Sequence, residues 1–70
     1  MNLTNAQEGR AYIIKQIETG DSELDAFLFS LGCYPQMPIT VISRRKGSCT
    51  VAIKDGRYCI DRRLAEAIEI

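Results

Sequence analysis

The sequence contains no histidine and no tryptophan. Histidine is the side chain that most readily exchanges a proton near neutral pH, and no serine, cysteine or lysine stands beside an evident base. No phosphate-binding GxxxxGK motif occurs either, so we expect no nucleotide binding by this chain. The remaining candidate for catalysis is a pair of carboxylates, and the Asp and Glu residues are scattered along the chain. We therefore expect a protein that is not an enzyme.

Net charge is also absent, since nine Lys and Arg residues balance nine Asp and Glu residues. No overall electrostatic field attracts nucleic acid or an anionic membrane, although local patches remain open. No apolar run approaches the roughly 20 residues that span a bilayer. Met1 to Gly9 is polar and lacks the apolar segment of a signal peptide. These observations predict a cytoplasmic protein that is not embedded in a membrane.

The chain has only three cysteines, and no two of them form a CxxC motif. An odd number of cysteines without metal-ligand spacing suits a reducing compartment. We expect Cys49 and Cys59 to be small apolar core residues. Cys33 stands in a turn, and its surroundings are left open.

Hydrophobic residues make up 46% of the 70 residues and charged residues 26%. These proportions are ordinary for an ordered globular protein and argue against disorder. A chain of this size buries only roughly 60% of its unfolded surface, so it has no room for a large enclosed cleft. We expect one domain over residues 1–70.

One short helix is predicted after Gly20, because four apolar residues recur at the spacing of a single helix face. Asp21 or Ser22 can cap its first turn. Gly32 stands where a left-handed residue closes a helix, and two prolines then prevent its continuation. The apolar stripe, which we expect to face the core, consists of Leu24, Phe27, Leu28 and Leu31, and the prolines are Pro35 and Pro38.

The other segments read as short strands rich in β-branched residues. The predicted strands are Arg10 to Glu18, Pro38 to Arg45, Cys49 to Ile53, Arg57 to Ile60 and a last one near Ile68. Asp55 and Gly56 are the expected hairpin turn. Asp61 to Ala65 favours a short helical turn. The fold class is therefore mainly β: a small barrel of about five strands, with one α-helix between strands one and two and a helical turn before the last strand.

Two charged clusters are candidate sites. Asp21, Glu23 and Asp25 could offer oxygen ligands to a metal, yet acids are also the expected structural choice in the first turn of a helix. We therefore predict no dedicated metal site and no cofactor. The basic segment Arg44 to Lys46 could meet phosphate, but charged hairpin tips are commonly solvated.

Phe29 is the most informative candidate for partner binding, because it lies away from the apolar stripe of the helix. Either the N-terminal arm or a turn covers its ring, or the ring belongs to a surface for a partner or a second copy. The turn that follows the helix supplies the other partner-binding candidates, which are Tyr34, Gln36 and Met37.

The order and spacing of these motifs resemble the FeoA family of bacterial ferrous iron transport. Leu3 and Gly9 match the opening of that family, and Ile14 with Ile17 match the IxxI of its first strand. The LxxLG that closes the helix is present, and so are the turn proline and the closing pattern; these residues are Leu28, Leu31, Gly32, Pro35, Ile39, Val41, Ile60, Ala65, Ile68 and Ile70. Three positions depart from the family, namely Phe27, Gln36 and Asp61. Because Gln36 replaces the glycine after the turn proline, we expect a less tight turn.

The resemblance implies an SH3-like barrel and an accessory role without catalysis. Its implied partner is the cytoplasmic part of a FeoB-type membrane transporter, which carries a GTPase domain. The balanced charge leads us to expect no nucleic acid partner, and a homo-oligomer is left open. The same domain is similar to the C-terminal module of iron-dependent repressors of the DtxR type. An alternative function is therefore that of a regulatory module related to those repressors.

Overall fold

Six strands and two α-helices follow one another along the chain in the computed structural model, which describes residues 1–70. A 3-10 helix, Leu3–Asn5, precedes them. The strands are β1 (Ala11–Ile13), β2 (Gln16–Ile17), β3 (Pro38–Arg45), β4 (Ser48–Ile53), β5 (Gly56–Asp61) and β6 (Ile68–Glu69), and the helices are α1 (Ser22–Ser30) and α2 (Arg62–Ala67). The predicted fold class, a small mainly β fold of the SH3-like type, is confirmed.

The strands form one four-stranded antiparallel sheet, in the order β1-β3-β4-β5, and one two-stranded sheet of β2 and β6. Arg45 pairs with Ser48, and Ile53 pairs with Gly56, so each β-hairpin of the larger sheet closes with a two-residue loop. The second loop is Lys54–Asp55, and the prediction of an Asp55–Gly56 turn was wrong by one residue. The left-handed φ of 53° that this loop needs is adopted by Lys54 instead of a glycine.

The predicted first strand is divided in two, which is why the structure has six strands and not about five. β1 pairs with β3, whereas β2 pairs with β6. Between them, Ile14 is fully buried, while the neighbouring Ile13 is 53% exposed. Consecutive strand residues point to opposite faces. Because the strand breaks at Ile14 and Lys15, the segment from Ala11 to Ile17 contributes to both sheets. Only one face of this segment lies in the core.

The core lies between the two sheets and the helices. Strand β4 buries every second residue, as its alternation predicted. The termini are joined as well, since the Ile70 N–H donates to the Met1 carbonyl at 2.9 Å. The buried apolar residues are Leu3, Ala6, Ile14, Leu28, Cys33, Ile39, Val41, Cys49, Val51, Ile53, Ile60, Ala65, Ile68 and Ile70.

Helix α1 contacts this core along a narrow line. Leu28 is fully buried, and Leu24 and Leu31 are half-buried. The expectation that Phe27 packs in the core was wrong, because its side chain is 50% exposed. Phe27 lies about 100° from Leu28 around the helix axis. At that angle its ring is beyond the side of the helix that the core covers.

The helix ends as the sequence predicted. Gly32 has a φ of +96°. Its N–H donates to the Phe29 carbonyl at 2.9 Å, and the Cys33 N–H donates to the Leu28 carbonyl at 2.9 Å. This pair of bonds is the Schellman motif. A side chain at Gly32 would place its Cβ 3.2 Å from Cγ2 of Ile53, so the close approach to β4 also favours glycine.

The turn after the helix closes despite the missing glycine. The Met37 N–H donates to the Tyr34 carbonyl at 3.2 Å. Pro35 occupies the second position of this turn, and Gln36 the third with a φ of 80°. A type II turn requires that left-handed conformation at its third position, where glycine is favoured. The expected loosening did not occur, and Gln36 adopts a conformation that is unfavourable for a residue with a Cβ.

Replacing Gln36 with glycine should therefore stabilise the protein. Glycine removes the strain of the left-handed conformation, and this gain is larger than the additional conformational entropy that a glycine loses on folding. We expect the free energy of unfolding to rise by about 0.5–1 kcal/mol. Urea denaturation measures it. The matched control is Gln16→Gly, in which the same replacement in β2 should be destabilising. Equal effects of the two substitutions would contradict this account of the turn.

Truncation of two neighbouring helix residues should separate the core from the surface of α1. Leu28→Ala should cost about 2–5 kcal/mol, because the side chain is fully buried. Phe27→Ala should cost less than about 1.5 kcal/mol, since the residue is already 50% exposed. Thermal and urea unfolding test both values. A larger loss for Phe27→Ala than for Leu28→Ala would mean that the helix packs in another orientation.

Candidate functional site

An aromatic pair, the exposed Phe29 and the half-buried Tyr34, stands at the C-terminal end of α1. The ring centroids of Phe29 and Tyr34 are 4.7 Å apart, with a tilt of 30° between the ring planes. The turn residue Tyr34 contacts the Phe29 ring, but Phe29 remains 63% exposed, so neither the N-terminal arm nor the turn buries it. The helix end positions this pair, because the Schellman motif reverses the chain between the two residues.

The hairpin loop between β4 and β5 forms the other side of a shallow groove beside this pair. The Lys54 ammonium lies 5.3 Å from the Tyr34 ring centroid, within cation–π range. Tyr58 lies over Gly56, and a Cβ on that glycine would overlap the Tyr58 hydroxyl. The groove lining consists of Phe29, Ser30, Leu31, Gly32, Tyr34, Lys54, Asp55, Gly56 and Tyr58. We call this set the aromatic groove.

Of the four predicted partner-binding residues, the structure brings Phe29 and Tyr34 together in the aromatic groove. Gln36 is exposed in the turn, and its N–H donates to the Ile14 carbonyl at 2.8 Å. Met37 is half-buried and packs against the core. Neither of these two lines the groove.

Sequence reasoning missed Lys54 and Tyr58, which come from a hairpin about twenty residues further along the chain. The hairpin itself was predicted from its strand alternation and its glycine. Its position beside Tyr34 was not predicted, because no local pattern reports which elements meet in space. No signal in the sequence pairs the two segments, since Tyr58 is the single aromatic residue of the hairpin.

Two of the three acidic candidates at the start of α1, Asp21 and Asp25, make structural hydrogen bonds. The Asp21 carboxylate accepts from the Glu23 N–H at 2.9 Å, which caps the helix. The Asp25 carboxylate accepts from the Thr19 hydroxyl at 2.7 Å. No group of three or more Cys, Asp or Glu side chains is arranged so that it could hold a metal ion.

The basic segment lines a second cleft, which lies between the β3–β4 hairpin, the 3-10 helix and α2. Its lining includes Arg45, Lys46 and Arg62. Arg44 has a structural role here, since its guanidinium donates to the carbonyls of Ala6 at 2.7 Å and Leu3 at 3.1 Å. Arg45 and Lys46 are exposed, as expected for a solvated hairpin tip.

The three cysteines differ from expectation at one position. Cys49 is buried, as predicted, but Cys59 is exposed, and its assignment to the core was wrong. In β5 the residues that point inward are Tyr58 and Ile60, so Cys59 between them points outward. Cys33 is buried, and desolvation raises the pKa of its thiol to about 11. Burial also raises the pKa of the Cys49 thiol.

A family model, described as the FeoA domain, matches residues 1–70. The chain belongs to the FeoA domain family. Membership places this FeoA domain in the setting of ferrous iron transport. No curated protein matches the chain. Neither of the two helices reaches the length and apolarity that crossing a membrane requires.

Two solved structures are similar to this FeoA domain over 97% of its length. One is a manganese-dependent transcriptional repressor, with a TM-score of 0.87 and 23% identity, of which the domain covers 39%. The other is the crystal structure of an iron uptake regulatory protein (FeoA), with a TM-score of 0.85 and 22% identity, of which it covers 91%. The FeoA domain thus spans well under half the length of the repressor. At these identities the likeness shows the fold alone.

Thiol labelling should distinguish the three cysteines. In the folded FeoA domain at neutral pH, we expect a maleimide reagent to modify Cys59 and to leave Cys33 and Cys49 unmodified, because both are buried and stay protonated below their raised pKa values. Mass spectrometry of the labelled protein measures this. Urea should expose all three thiols, and Cys59→Ser should abolish labelling of the folded protein. Rapid native labelling of Cys33 would contradict the buried position.

Proposed function

We propose that this FeoA domain is a non-enzymatic accessory protein of ferrous iron transport that acts in the cytoplasm. It binds the cytoplasmic part of a FeoB-type transporter through the aromatic groove. The observation that carries the proposal is the tilted pair of Phe29 and Tyr34 rings, 4.7 Å apart at the exposed end of the helix.

The energetics of an exposed ring support a binding role. A large apolar side chain left in water forgoes about 1.5–3 kcal/mol that burial would supply. Phe29 contributes little to the core, because 63% of its side chain is exposed. Aromatic residues of this kind dominate the binding energy of many protein interfaces. A partner that covers Phe29 therefore gains apolar burial without unfolding any part of the domain.

The rest of the groove supplies groups that can orient such a partner. Lys54 and Asp55 carry opposite charges beside the aromatic rings, and Tyr58 also lines the groove. The Schellman motif and the type II turn hold Phe29 and Tyr34 in place before binding, so little ordering entropy is lost on association. Binding of this type needs no catalytic residue.

The alternative function is a regulatory module like that of the metal-dependent repressors. The structural likeness to a repressor supports the shared fold but carries no partner with it. The exposed cations at the β3–β4 hairpin are the groups that nucleic acid would meet. A gel-retardation assay that shows salt-dependent DNA binding, lost in an Arg45→Ala/Lys46→Ala variant, would favour this alternative.

The main proposal is tested by titrating the purified cytoplasmic region of a FeoB-type transporter with the FeoA domain. Phe29→Ala should weaken binding by at least roughly tenfold, because the variant removes the exposed anchor ring. The matched control is Phe27→Ala, which removes the same side chain from the same helix outside the groove and should stay within about twofold of the unsubstituted domain.

Three results would refute the proposal. The transporter region fails to bind the unsubstituted domain, or both variants bind with unchanged affinity, or both lose affinity equally. Circular dichroism and urea unfolding of each variant confirm that the comparison is made between folded proteins. A pull-down of tagged FeoA domain from gently solubilised, iron-limited cells gives a second measurement of the same contact.

A further inference from the structure

The outer edge of β5 is unpaired. In the four-stranded sheet β5 stands at one end and pairs only with β4. It is six residues long, twice the length of β1 at the opposite end. None of the backbone hydrogen bonds outside the regular elements uses a peptide group of β5. An edge of this length is a template for another strand.

The register of the sheet identifies the peptide groups that point to this free edge. Arg45 pairs with Ser48 and Ile53 with Gly56 across two-residue loops. Residues that flank such loops exchange hydrogen bonds, and bonding then alternates along each strand. Tyr58 and Ile60 therefore bond toward β4. The N–H and C=O groups of Arg57 and Cys59 point away from the sheet, with no partner in the chain.

The side chains of this edge are complementary to the same edge of a second copy of the chain. Arg57, Cys59 and Asp61 are all exposed on the outer face of β5. If a second β5 pairs antiparallel so that Cys59 faces Cys59, then Arg57 of each copy faces Asp61 of the other. The same register places Tyr58 opposite Ile60 on the inner face. If the two-fold axis instead lay at Arg57, the two Arg57 side chains would face each other. If it lay at Asp61, the two Asp61 side chains would do so. Both arrangements are unfavourable, because like charges repel.

We propose that two copies of this chain pair through antiparallel β5 edges, with the two-fold axis at Cys59 and with two Arg57–Asp61 ion pairs across the junction. The pairing joins two four-stranded sheets into one continuous sheet of eight strands. It satisfies the free peptide groups of Arg57 and Cys59 in both copies. The contact goes beyond the proposed function, because it involves a second copy and not a transporter.

The first test is the oligomeric state of the purified protein over a range of concentrations, measured by sedimentation equilibrium. We expect a reversible monomer–dimer equilibrium. Arg57→Glu should weaken dimerisation by roughly tenfold or more, because two opposite-charge pairs become like-charge pairs. Asp61→Asn removes the carboxylate but keeps a residue that can cap α2, so it should weaken the dimer and leave the fold intact. Lys15→Glu, the same charge change at an exposed residue between β1 and β2, is the matched control and should dimerise normally.

Oxidative crosslinking tests the register. Residues that exchange hydrogen bonds in an antiparallel pair have Cα atoms about 5.5 Å apart, within the range that a disulfide can bridge. Cys59 is the only exposed thiol of the three. Mild oxidation with diamide should link Cys59 of one copy to Cys59 of the other, and peptide mapping identifies the link. The link should form much more slowly in Arg57→Glu than in Lys15→Glu.

Several outcomes would overturn the proposal. A protein that stays monomeric at all concentrations excludes the pairing. A dimer that Arg57→Glu and Asp61→Asn leave unchanged places the contact elsewhere. Crosslinking at the same rate in Arg57→Glu and Lys15→Glu reports only random collision of an exposed thiol. The transporter-binding test with Phe29→Ala is independent of all three results, so the two proposals can fail separately.

Discussion

The peptide groups of Ile14 and Lys15 connect the two sheets, and much of the remaining structure depends on them. The Ile14 N–H donates to the Met37 carbonyl at 2.9 Å, and its carbonyl accepts from the Gln36 N–H at 2.8 Å. One residue later, the Lys15 N–H donates to the Glu69 carbonyl at 2.7 Å. Because the Ile14 side chain is also fully buried, the segment cannot shift without loss of both hydrogen bonds and core packing. This junction fixes the turn after α1 and, through that turn, the position of Tyr34.

The aromatic groove follows from this arrangement. One wall is the end of α1 with the turn behind it, and the other is the loop between β4 and β5. The two walls meet because Gly32 allows the helix end to approach Ile53 and Lys54 closely. The rings of Phe29 and Tyr34 are thus attached to rigid elements, so covering them would cost little ordering entropy. The left-handed Gln36 shows that the turn is maintained even at a local conformational cost.

Fold likeness by itself assigns no partner to this chain. The chain is about equally similar in structure to a manganese-dependent repressor and to an iron uptake regulatory protein (FeoA), at 23% and 22% identity. The core pattern of alternating apolar residues is sufficient for the shared fold, and it says little about partners. The family match over residues 1–70 is the finding that assigns the chain to the FeoA domain family. Surface residues such as Phe29 and Lys54 lie outside the core pattern, so the shared fold does not constrain them.

Local features of the chain were readable from the sequence because each depends on a few neighbouring residues. The Asp21 cap, the stop at Gly32 and the alternation of β4 are of this kind, and together with the family pattern they predicted the fold class. Only the tertiary structure decided that Phe27 and Cys59 face solvent, that the first strand divides at Ile14, and that Lys54 and Tyr58 stand beside Tyr34. Periodicity reports which residues share a face of an element. Whether that face is covered depends on contacts between elements far apart in the chain, and those contacts exist only after the chain has folded.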